Sequence, residues 1–181
     1  MKVKKEISID APTSNVWKVL GDDYASAGQW GSGVYISTAR TDVEKVVKAA
    51  PVAGRTCETS LGPVSEVITR YEPTTGDLAY RANASAMPFF VKGKQLNATW
   101  KLTPNGAKKT HVAMELSLDL VVPFNVLMAL PLRANFGNVI NQTLQELKYY
   151  VENGDVHPRK ASVDKSRKAK KAVAKVQAAK N

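Results

Sequence analysis

The sequence is poor in the residues from which metal, disulfide and nucleophilic sites are built. Its 181 residues include one cysteine, Cys57, and two histidines, His111 and His157. A single cysteine excludes an internal disulfide and a cysteine-based metal cluster, and such low usage is typical of a reducing compartment. His, Cys, Asp and Glu show no metal-ligand spacing, and no G-x-S-x-G motif is present. We therefore expect no metal, no other cofactor, and no hydrolase chemistry based on a nucleophilic side chain.

Long apolar stretches are also missing. The longest apolar run covers residues 120–132 and is interrupted by Pro123, Asn125 and Pro131. At about 13 residues it is shorter than the roughly 20 that span a bilayer. The N-terminal stretch, M-K-V-K-K-E-I-S-I-D, lacks the apolar segment of a signal peptide. We therefore expect a cytoplasmic protein without a transmembrane segment.

The positive charge of the chain is concentrated at its C-terminus. Of the net charge of +10, residues 155–181 contribute +7, from nine Lys and Arg and two Asp, and residues 1–154 contribute +3. The terminal stretch is rich in Lys and Ala and has no aromatic residue, a composition typical of a disordered extension. We therefore predict a domain of residues 1–154 and a disordered basic tail of residues 155–181. The alternative role of this tail is weak, salt-dependent contact with nucleic acid or another polyanion through residues 159–180.

The body of the chain begins with a strand and two short helices and continues as strands. Residues 3–10 alternate as a half-buried strand, and Pro12 starts a short helix because the first helical turn tolerates proline. The glycine-rich residues 21–33 predict a second short helix and a turn. Six further strands, separated by turn sequences, are predicted at residues 34–41, 55–60, 64–71, 77–85, 92–103 and 109–122. With no helices between them, these strands favour consecutive antiparallel hairpins.

Alternating side chains give several of these strands one apolar face. Tyr80, Trp100 and Met114 lie on the apolar faces of residues 77–85, 92–103 and 109–122. The strands therefore predict a sheet with one buried and one solvated side. In residues 64–71 the pattern is ambiguous, so Glu66 and Arg70 have no predicted face.

A long amphipathic helix follows the strands. From Leu132 onward it runs for about twenty residues, or roughly 30 Å. Its apolar side chains fall on one arc of roughly 140°: Leu132, Phe136, Val139, Ile140, Leu144, Leu147 and Val151. Asn153 and Gly154 predict a left-handed C-terminal cap. Pro131 predicts a break that leaves residues 124–130 as a separate turn or lid.

Several stretches of the sequence together resemble one protein superfamily. They are K-K-E-I-S-I-D-A-P-T-S-N-V-W-K-V-L-G-D with Trp30 further on, S-E-V-I-T-R-Y-E-P, L-A-Y-R, and L-Q-E-L-K-Y-Y-V-E-N-G. Over residues 2–154 the chain resembles the polyketide cyclase/dehydrase-like branch of the START-related, pollen-allergen-like (SRPBCC) superfamily. The resemblance implies an α+β helix-grip fold, in which a curved antiparallel sheet of about seven strands wraps a long C-terminal helix. Between sheet and helix, the fold encloses a cavity for a hydrophobic small molecule.

The resemblance alone does not choose one function. The superfamily includes aromatase/cyclases, lipid and sterol carriers, hormone receptors and allergens, and it has no universal catalytic residues to carry over. The sequence also lacks an obvious set of acid, base and nucleophile. We therefore expect binding or carriage of a small hydrophobic or aromatic molecule, lipid-like or polyketide-like. The alternative is a cofactor-free cyclase or dehydratase that works mainly by orienting its substrate.

Two polar residues are candidates for ligand contact, or for catalysis in the alternative. By helical rotation Arg133 falls inside the apolar arc. Either its guanidinium extends to solvent or pairs with a strand carboxylate, or it points into the cavity and binds a ligand oxygen. Tyr80 lies on the predicted inward face, where it either packs or donates its phenolic proton.

The remaining candidates are apolar, and for each of them the alternative to ligand contact is core packing. They are Trp17, Trp30, Phe89, Phe90, Trp100, Met114, Phe124, Met128, Phe136 and Ile140. Residues 86–90, which we call the gate loop, place two aromatics beside Pro88. This loop either folds over the mouth of the cavity or tucks its aromatics into the core.

Overall fold

The computed structural model describes residues 1–178, whose main feature is one antiparallel sheet of seven strands. The strands are β1 (Lys2–Ile9), β2 (Val34–Ala39), β3 (Gly54–Thr59), β4 (Gly62–Glu72), β5 (Asp77–Ala84), β6 (Gln95–Pro104) and β7 (Thr110–Ser117). Their order across the sheet is β1-β7-β6-β5-β4-β3-β2, so every strand from β2 to β6 pairs with its successor, and β1 pairs with β7. The predicted run of consecutive antiparallel hairpins is confirmed.

Short helices connect β1 to β2, and four helices within the described residues follow β7, of which α3 is the longest. Helix α1 (Thr13–Trp17) comes directly after β1, with Pro12 at its N-cap, and a 3₁₀ helix covers Tyr24–Gln29. After β7 come α2 (Phe124–Leu127), α3 (Ala129–Asn153), α4 (Pro158–Asp164) and α5 (Arg167–Ala178). Within residues 1–178, no helix is long and apolar enough to cross a membrane. The long helix and the curved sheet together form the predicted helix-grip arrangement.

The central strands bury one face and expose the other. On β5, Tyr80 and Ala82 are buried whereas Arg81 and Asn83 are exposed, and β6 alternates in the same way. Register places Tyr80 opposite Ala98 and Trp100 opposite Met114, so the inward side chains form rows across the sheet. The alternation predicted for these strands is confirmed.

Strand β4 contains an irregularity that explains its ambiguous pattern. Ile68 pairs with Tyr80, but the next paired residue is Arg70, so Thr69 is an extra residue at a β-bulge. Glu66 and Ile68 are buried before the bulge, whereas Thr69 and Arg70 are both exposed. The bulge therefore breaks the two-residue period that sequence reasoning relies on.

Helix α3 starts earlier than the sequence predicts. Pro131 is the third residue of the helix, in the turn where backbone N–H groups have no intrahelical acceptor, so it does not break the helix. The helix ends at the predicted cap, where Gly154 has φ 68° and donates its N–H to the carbonyl of Tyr150. Its buried apolar face contains Ile140, Leu144 and Leu147. Val139, predicted on the same arc, is instead 45% exposed.

Several predicted strands are longer than those observed, and two of them, at residues 92–103 and 109–122, have a visible cause or substitute. Residues 92–94 form a 3₁₀ turn before β6, because the backbone is left-handed at Gly93 (φ 62°) and Lys94 (φ 49°). Strand β7 ends at Ser117, after which Leu120 makes an isolated bridge to Val91.

The prediction of a disordered tail is wrong for residues 158–178. Helix α4 begins with Pro158 at its first position and ends at Asp164, and α5 packs against β2 with Ala169 buried. Helix α5 therefore lies beside β2, an edge strand of the sheet. Residues 179–181 lie outside the described residues. Contact between the basic tail and a polyanion stays a prediction.

Polar contacts anchor the tail as well. The buried carboxylate of Glu146 on α3 accepts hydrogen bonds from the Ser32 backbone N–H (2.8 Å), from the Ser32 hydroxyl (2.5 Å) and from Arg159 Nη1 (2.8 Å). Lys160, 1% exposed, donates to the Val34 carbonyl (3.1 Å) and to Asp164 (2.7 Å). The tail therefore supplies Arg159 as the cationic partner of Glu146, whose buried carboxylate would otherwise keep only the two hydrogen bonds from Ser32.

Candidate binding site inside the helix grip

The inner side of the sheet packs against α1, the 3₁₀ helix and α3 in one apolar core. Six of the predicted wall residues belong to it, each less than 10% exposed: Trp17, Trp30, Tyr80, Trp100, Met114 and Ile140. Phe136 is half-buried against the same core. The structure therefore brings these residues together between sheet and helix, where ligand contact and core packing share the same side chains.

A charged pair lies within this largely apolar interior. Arg55 on β3 and Glu66 on β4 are direct cross-strand partners, and they are 8% and 6% exposed. Arg55 Nε lies 2.7 Å from Glu66 Oε2, but its N–H is not aligned for a hydrogen bond, so the contact is an ion pair. Burying two charges is costly unless further polar groups satisfy them.

Two tyrosines complete this pair. The hydroxyl of Tyr24, on the 3₁₀ helix, donates to Glu66 Oε2 at 2.6 Å, and its backbone carbonyl accepts a hydrogen bond from Arg55 Nη1 at 2.7 Å. The guanidinium carbon of Arg55 lies 4.3 Å from the centre of the Tyr24 ring and 5.6 Å from that of Tyr80. The two rings meet edge to face at 5.7 Å. We call Arg55, Glu66, Tyr24 and Tyr80 the inner polar cluster.

Burial sets the protonation of this cluster. It raises the pKa of Tyr24 and of Tyr80, and the neighbouring Glu66 carboxylate raises both pKa values further. Burial opposes the charge on Arg55, but Glu66 and the neighbouring phenols hold the pKa of its guanidinium above the ordinary value. Both phenols therefore keep their protons at neutral pH; Tyr24 donates its own to Glu66, which leaves the Tyr80 hydroxyl, beside the Arg55–Glu66 ion pair, as the phenolic donor that can meet a ligand. Such groups can orient a carbonyl or hydroxyl oxygen but supply no strong nucleophile.

Cys57, which faces the interior beside this cluster, illustrates the same effect. Its side chain is 1% exposed, and burial raises the pKa of its thiol to about 12. At pH 8 the thiolate fraction is then roughly one part in ten thousand. We expect native protein to react with Ellman's reagent at least about a hundredfold more slowly than protein in guanidinium chloride. Equal rates in the two states would contradict this placement of Cys57.

Trp30 carries a buried donor with no partner. Its indole Nε1 has no hydrogen-bond acceptor among residues 1–178, although buried donors are normally paired. The indole Nε1 of Trp17 likewise has no acceptor within the described residues, and its ring packs on Gly21 and on Tyr71, at 5.1 Å between ring centres.

The gate loop and α2 meet at one end of the molecule. Phe90 stacks on Phe124 at 5.1 Å between ring centres, and Phe89 meets both rings edge to face. Phe89 is 75% exposed, so the gate loop does not tuck both aromatics into the core. Met128 is half-buried at the junction of α2 and α3. These predicted wall residues therefore line an outer end, whereas those of the sheet lie inside.

Arg133 is not in the interior. Its side chain is exposed, and it lines an open groove of about 560 Å³ between β1 and α3, together with Lys2, Lys4, Lys5, Asn138 and Asn141. The hypothesis that Arg133 points into the cavity is wrong, and the alternative of a guanidinium in solvent holds. The cause is that α3 packs mainly on β1, an edge strand, so one border of its apolar arc faces water.

Sequence reasoning missed Arg55 and Tyr24 and left Glu66 unassigned. The only available signal was the opposite charge of two residues on adjacent predicted strands, and the register that makes them partners is a tertiary feature that the sequence does not state. Tyr24 lies in a 3₁₀ helix, whose short span gives no periodicity.

Comparisons with known proteins agree with this architecture. The sequence matches the family described as "Polyketide cyclase / dehydrase and lipid transport" over residues 1–152. No curated protein sequence matches that of this chain.

Solved structures share the fold at low sequence identity. A START superfamily protein from Mycobacterium smegmatis is 12% identical with a TM-score of 0.64, over 83% of this chain and 97% of that one. The protein XoxI from Bacillus cereus is 14% identical with a TM-score of 0.63, over 86% and 99%. The di-domain ARO/CYC protein BexL, from the BE-7585A biosynthetic pathway, is 16% identical with a TM-score of 0.65, over 84% of this chain and 46% of its own.

These similarities and the family match lead to one assignment. The matched residues cover most of the chain, and they contain the whole sheet together with almost all of α3. The protein therefore belongs to the Polyketide cyclase / dehydrase and lipid transport family.

Proposed function

We propose that this protein binds and carries a small hydrophobic or aromatic molecule between the inner side of the sheet and α3. The ligand is mostly apolar, lipid-like or polyketide-like, and carries a hydrogen-bonding oxygen. The observation that carries the proposal is the inner polar cluster: a charged pair and two phenols in an otherwise apolar interior. Binding sites for small molecules typically combine such apolar walls with a few fixed polar groups.

The polar end of the ligand lies against Tyr80 and Arg55 in this proposal. Tyr80 is a protonated donor, because burial raises its pKa, and Arg55 adds a fixed positive charge beside it. Trp30, with its unpartnered indole N–H, supplies a further donor to the interior. Trp100 and Met114 on the neighbouring strands contact the apolar part of the ligand.

Entry of the ligand requires a change at one end of the molecule. The walls are packed together, so a ligand must displace side chains as it enters. The gate loop and α2 meet there through the rings of Phe89, Phe90 and Phe124 and carry exposed side chains. Segments with few buried contacts open at the lowest free energy. We therefore place the entrance at the gate loop.

A second candidate is cyclisation or dehydration of a polyketide-like substrate. It is favoured by the structural similarity to the ARO/CYC protein BexL and by two protonated phenols beside a guanidinium. In that case Tyr80 orients or protonates a substrate carbonyl. Positioning of the substrate then provides most of the rate acceleration. Arg133, exposed on the outer groove, has no part in either function.

The experiment is native mass spectrometry of the purified protein, followed by identification of any molecule released on denaturation. We expect a small apolar species in the wild-type protein. Replacing Tyr80 by Phe removes one hydrogen bond to the ligand, so we expect retention of that species to fall about tenfold. Tyr35→Phe is the matched control, because Tyr35 lies on β2 beside the tail and should leave retention unchanged.

Other outcomes separate the two candidates. If no species copurifies, uptake of a fluorescent fatty acid or of an aromatic polyketide can be measured by titration. Failure of the protein to take up both would refute carriage. Turnover of a poly-β-ketone substrate that Tyr80→Phe abolishes, with an unchanged melting temperature, would favour the cyclase.

A further inference from the structure

One end of the molecule exposes a continuous apolar surface, which we call the apolar tip. It contains the aromatic trio Phe89, Phe90 and Phe124, and four aliphatic residues around α2: Val122, Val126, Leu127 and Leu130. Phe89 and the four aliphatic side chains are between 67% and 81% exposed. Single exposed apolar residues are common, but a cluster of this kind on a monomer marks an interaction site.

The apolar tip is one surface, because the gate loop and the segment around α2 contact each other. Phe89 and Phe90 both contact the ring of Phe124, and the N–H of Val121 donates to the carbonyl of Phe90 at 2.9 Å. Beneath it, Val91 and Leu120 form a bridge within a small second core. The gate loop and α2 therefore present their exposed side chains from a shared base.

Basic residues surround this tip. Lys92 and Lys94 follow the gate loop directly, and Arg133 lies one helical turn after Leu130 on α3. The groove between β1 and α3 continues from Arg133 to Lys2, Lys4 and Lys5. The end of the groove at Lys2 lies near the tip, because Met1 packs on the same small core as Phe90.

These basic residues form a rim around the tip, and nearby acidic groups neutralise only part of its positive charge. Lys2 lies 3.4 Å from Glu115, and Lys4 pairs with Glu6 at 2.5 Å. Asp119 is exposed in the segment between β7 and α2. Lys5, Lys92 and Arg133 have no acidic partner within residues 1–178. An apolar tip with a basic rim is complementary to a membrane whose surface is negatively charged.

We propose that the apolar tip docks the protein on an anionic bilayer surface. Phe89, Leu127 and Leu130 enter the interface below the head groups, while Lys92 and Arg133 contact the anionic head groups above it. The net charge of +10 also draws the molecule toward such a surface, but +7 of it belongs to residues 155–181, whose helix α5 packs on β2, so the basic residues near the tip set the docked orientation. This inference goes beyond the proposed function, because docking is measured without any internal ligand. Where the carried molecule is a lipid, the docked orientation places the gate loop against its source.

The test is co-sedimentation of the full chain with vesicles of phosphatidylcholine alone and of phosphatidylcholine containing phosphatidylglycerol. We expect binding to the anionic vesicles and at least about a tenfold loss for the double variant Phe89→Ser and Leu127→Ser, which removes the inserting side chains. The matched control is Leu61→Ser with Val46→Ser, two residues that are 74% and 65% exposed in other turns. That control should bind as the wild-type protein does.

A second pair of variants tests the rim. Each basic residue close to an anionic surface contributes a factor of about five in affinity. Lys92→Glu with Arg133→Glu should therefore abolish the preference for anionic vesicles, whereas Lys48→Glu with Lys108→Glu, equal in charge and distant in the chain, should weaken it only slightly.

No sedimentation of the wild-type protein, or unchanged binding by the tip variant, would overturn the proposal. Concentration-dependent dimerisation that the tip variant removes, without vesicle binding, would assign the tip to a second copy instead.

Discussion

Replacing Glu66 by leucine is expected to lower the free energy of unfolding by about 3–5 kcal/mol. The substitution leaves the Arg55 guanidinium buried, with the Tyr24 carbonyl and two aromatic rings as its remaining partners. It also removes the acceptor of the Tyr24 hydroxyl. An unpaired charge in a low-dielectric interior is among the few single defects with an effect of this size. Urea unfolding followed by tryptophan fluorescence measures it.

The double variant Arg55→Met and Glu66→Leu is the decisive control. It removes both charges and replaces them by apolar side chains of similar length, so we expect it to recover most of the lost stability. Tyr24→Phe, which removes only the hydroxyl, should cost about 1–2 kcal/mol. A Glu66→Leu variant as stable as the wild-type protein would contradict the buried ion pair. A double variant that is stable but retains no ligand would show that the pair serves binding rather than folding.

The regular elements of this fold were predictable because their periodicity is uninterrupted. On β5 and β6, the residues predicted inward are buried, and the C-terminal cap at Gly154 has the left-handed backbone that its sequence predicts. A two-residue period in a strand, or a 3.6-residue period in a helix, indicates which face is buried whatever surface that face packs against. The number and order of the strands follow from these local signals together with short connections.

The polar parts of the site were not predictable in the same way. Glu66 is buried on β4, but the bulge at Thr69 breaks the two-residue alternation along that strand, so the sequence does not show which face is inward. Arg133 was placed on the correct helix, but the face of α3 that meets solvent depends on its packing against β1, a tertiary contact. Local sequence patterns predict which helix or strand contains a residue, but they do not predict which other elements that helix or strand packs against.

The tail shows how composition can mislead. Residues 155–178 are rich in Lys and Ala, which predicts disorder, yet alanine also has the highest helix propensity. Ala169 is buried, and Ala172 and Val173 are half-buried, while Lys168 and Lys171 are exposed. This is the amphipathic pattern of a helix that lies on a surface. Its surface is β2, whose need for cover is not visible in the tail sequence.

Truncation after Gly154 is therefore expected to lower the free energy of unfolding by about 3 kcal/mol or more. It removes the hydrogen bond from Arg159 to the buried carboxylate of Glu146. It also removes the packing of α5 on the edge strand β2. For a chain of this size each kcal/mol corresponds to roughly 2–4 °C, so the melting temperature should fall by about 6–12 °C.

Point variants separate these contributions without shortening the chain. Arg159→Ala should lower the free energy of unfolding by about 1–3 kcal/mol, because it deletes one charged donor to Glu146. Lys168→Ala with Lys171→Ala, which remove exposed charges from α5, should leave the melting temperature within about 1 °C. If residues 1–154 melted at the temperature of the full chain, the tail would be an independent extension, as its composition predicts. A lowered melting temperature makes the tail part of the folded unit, and the sheet edge at β2 then depends on it for cover.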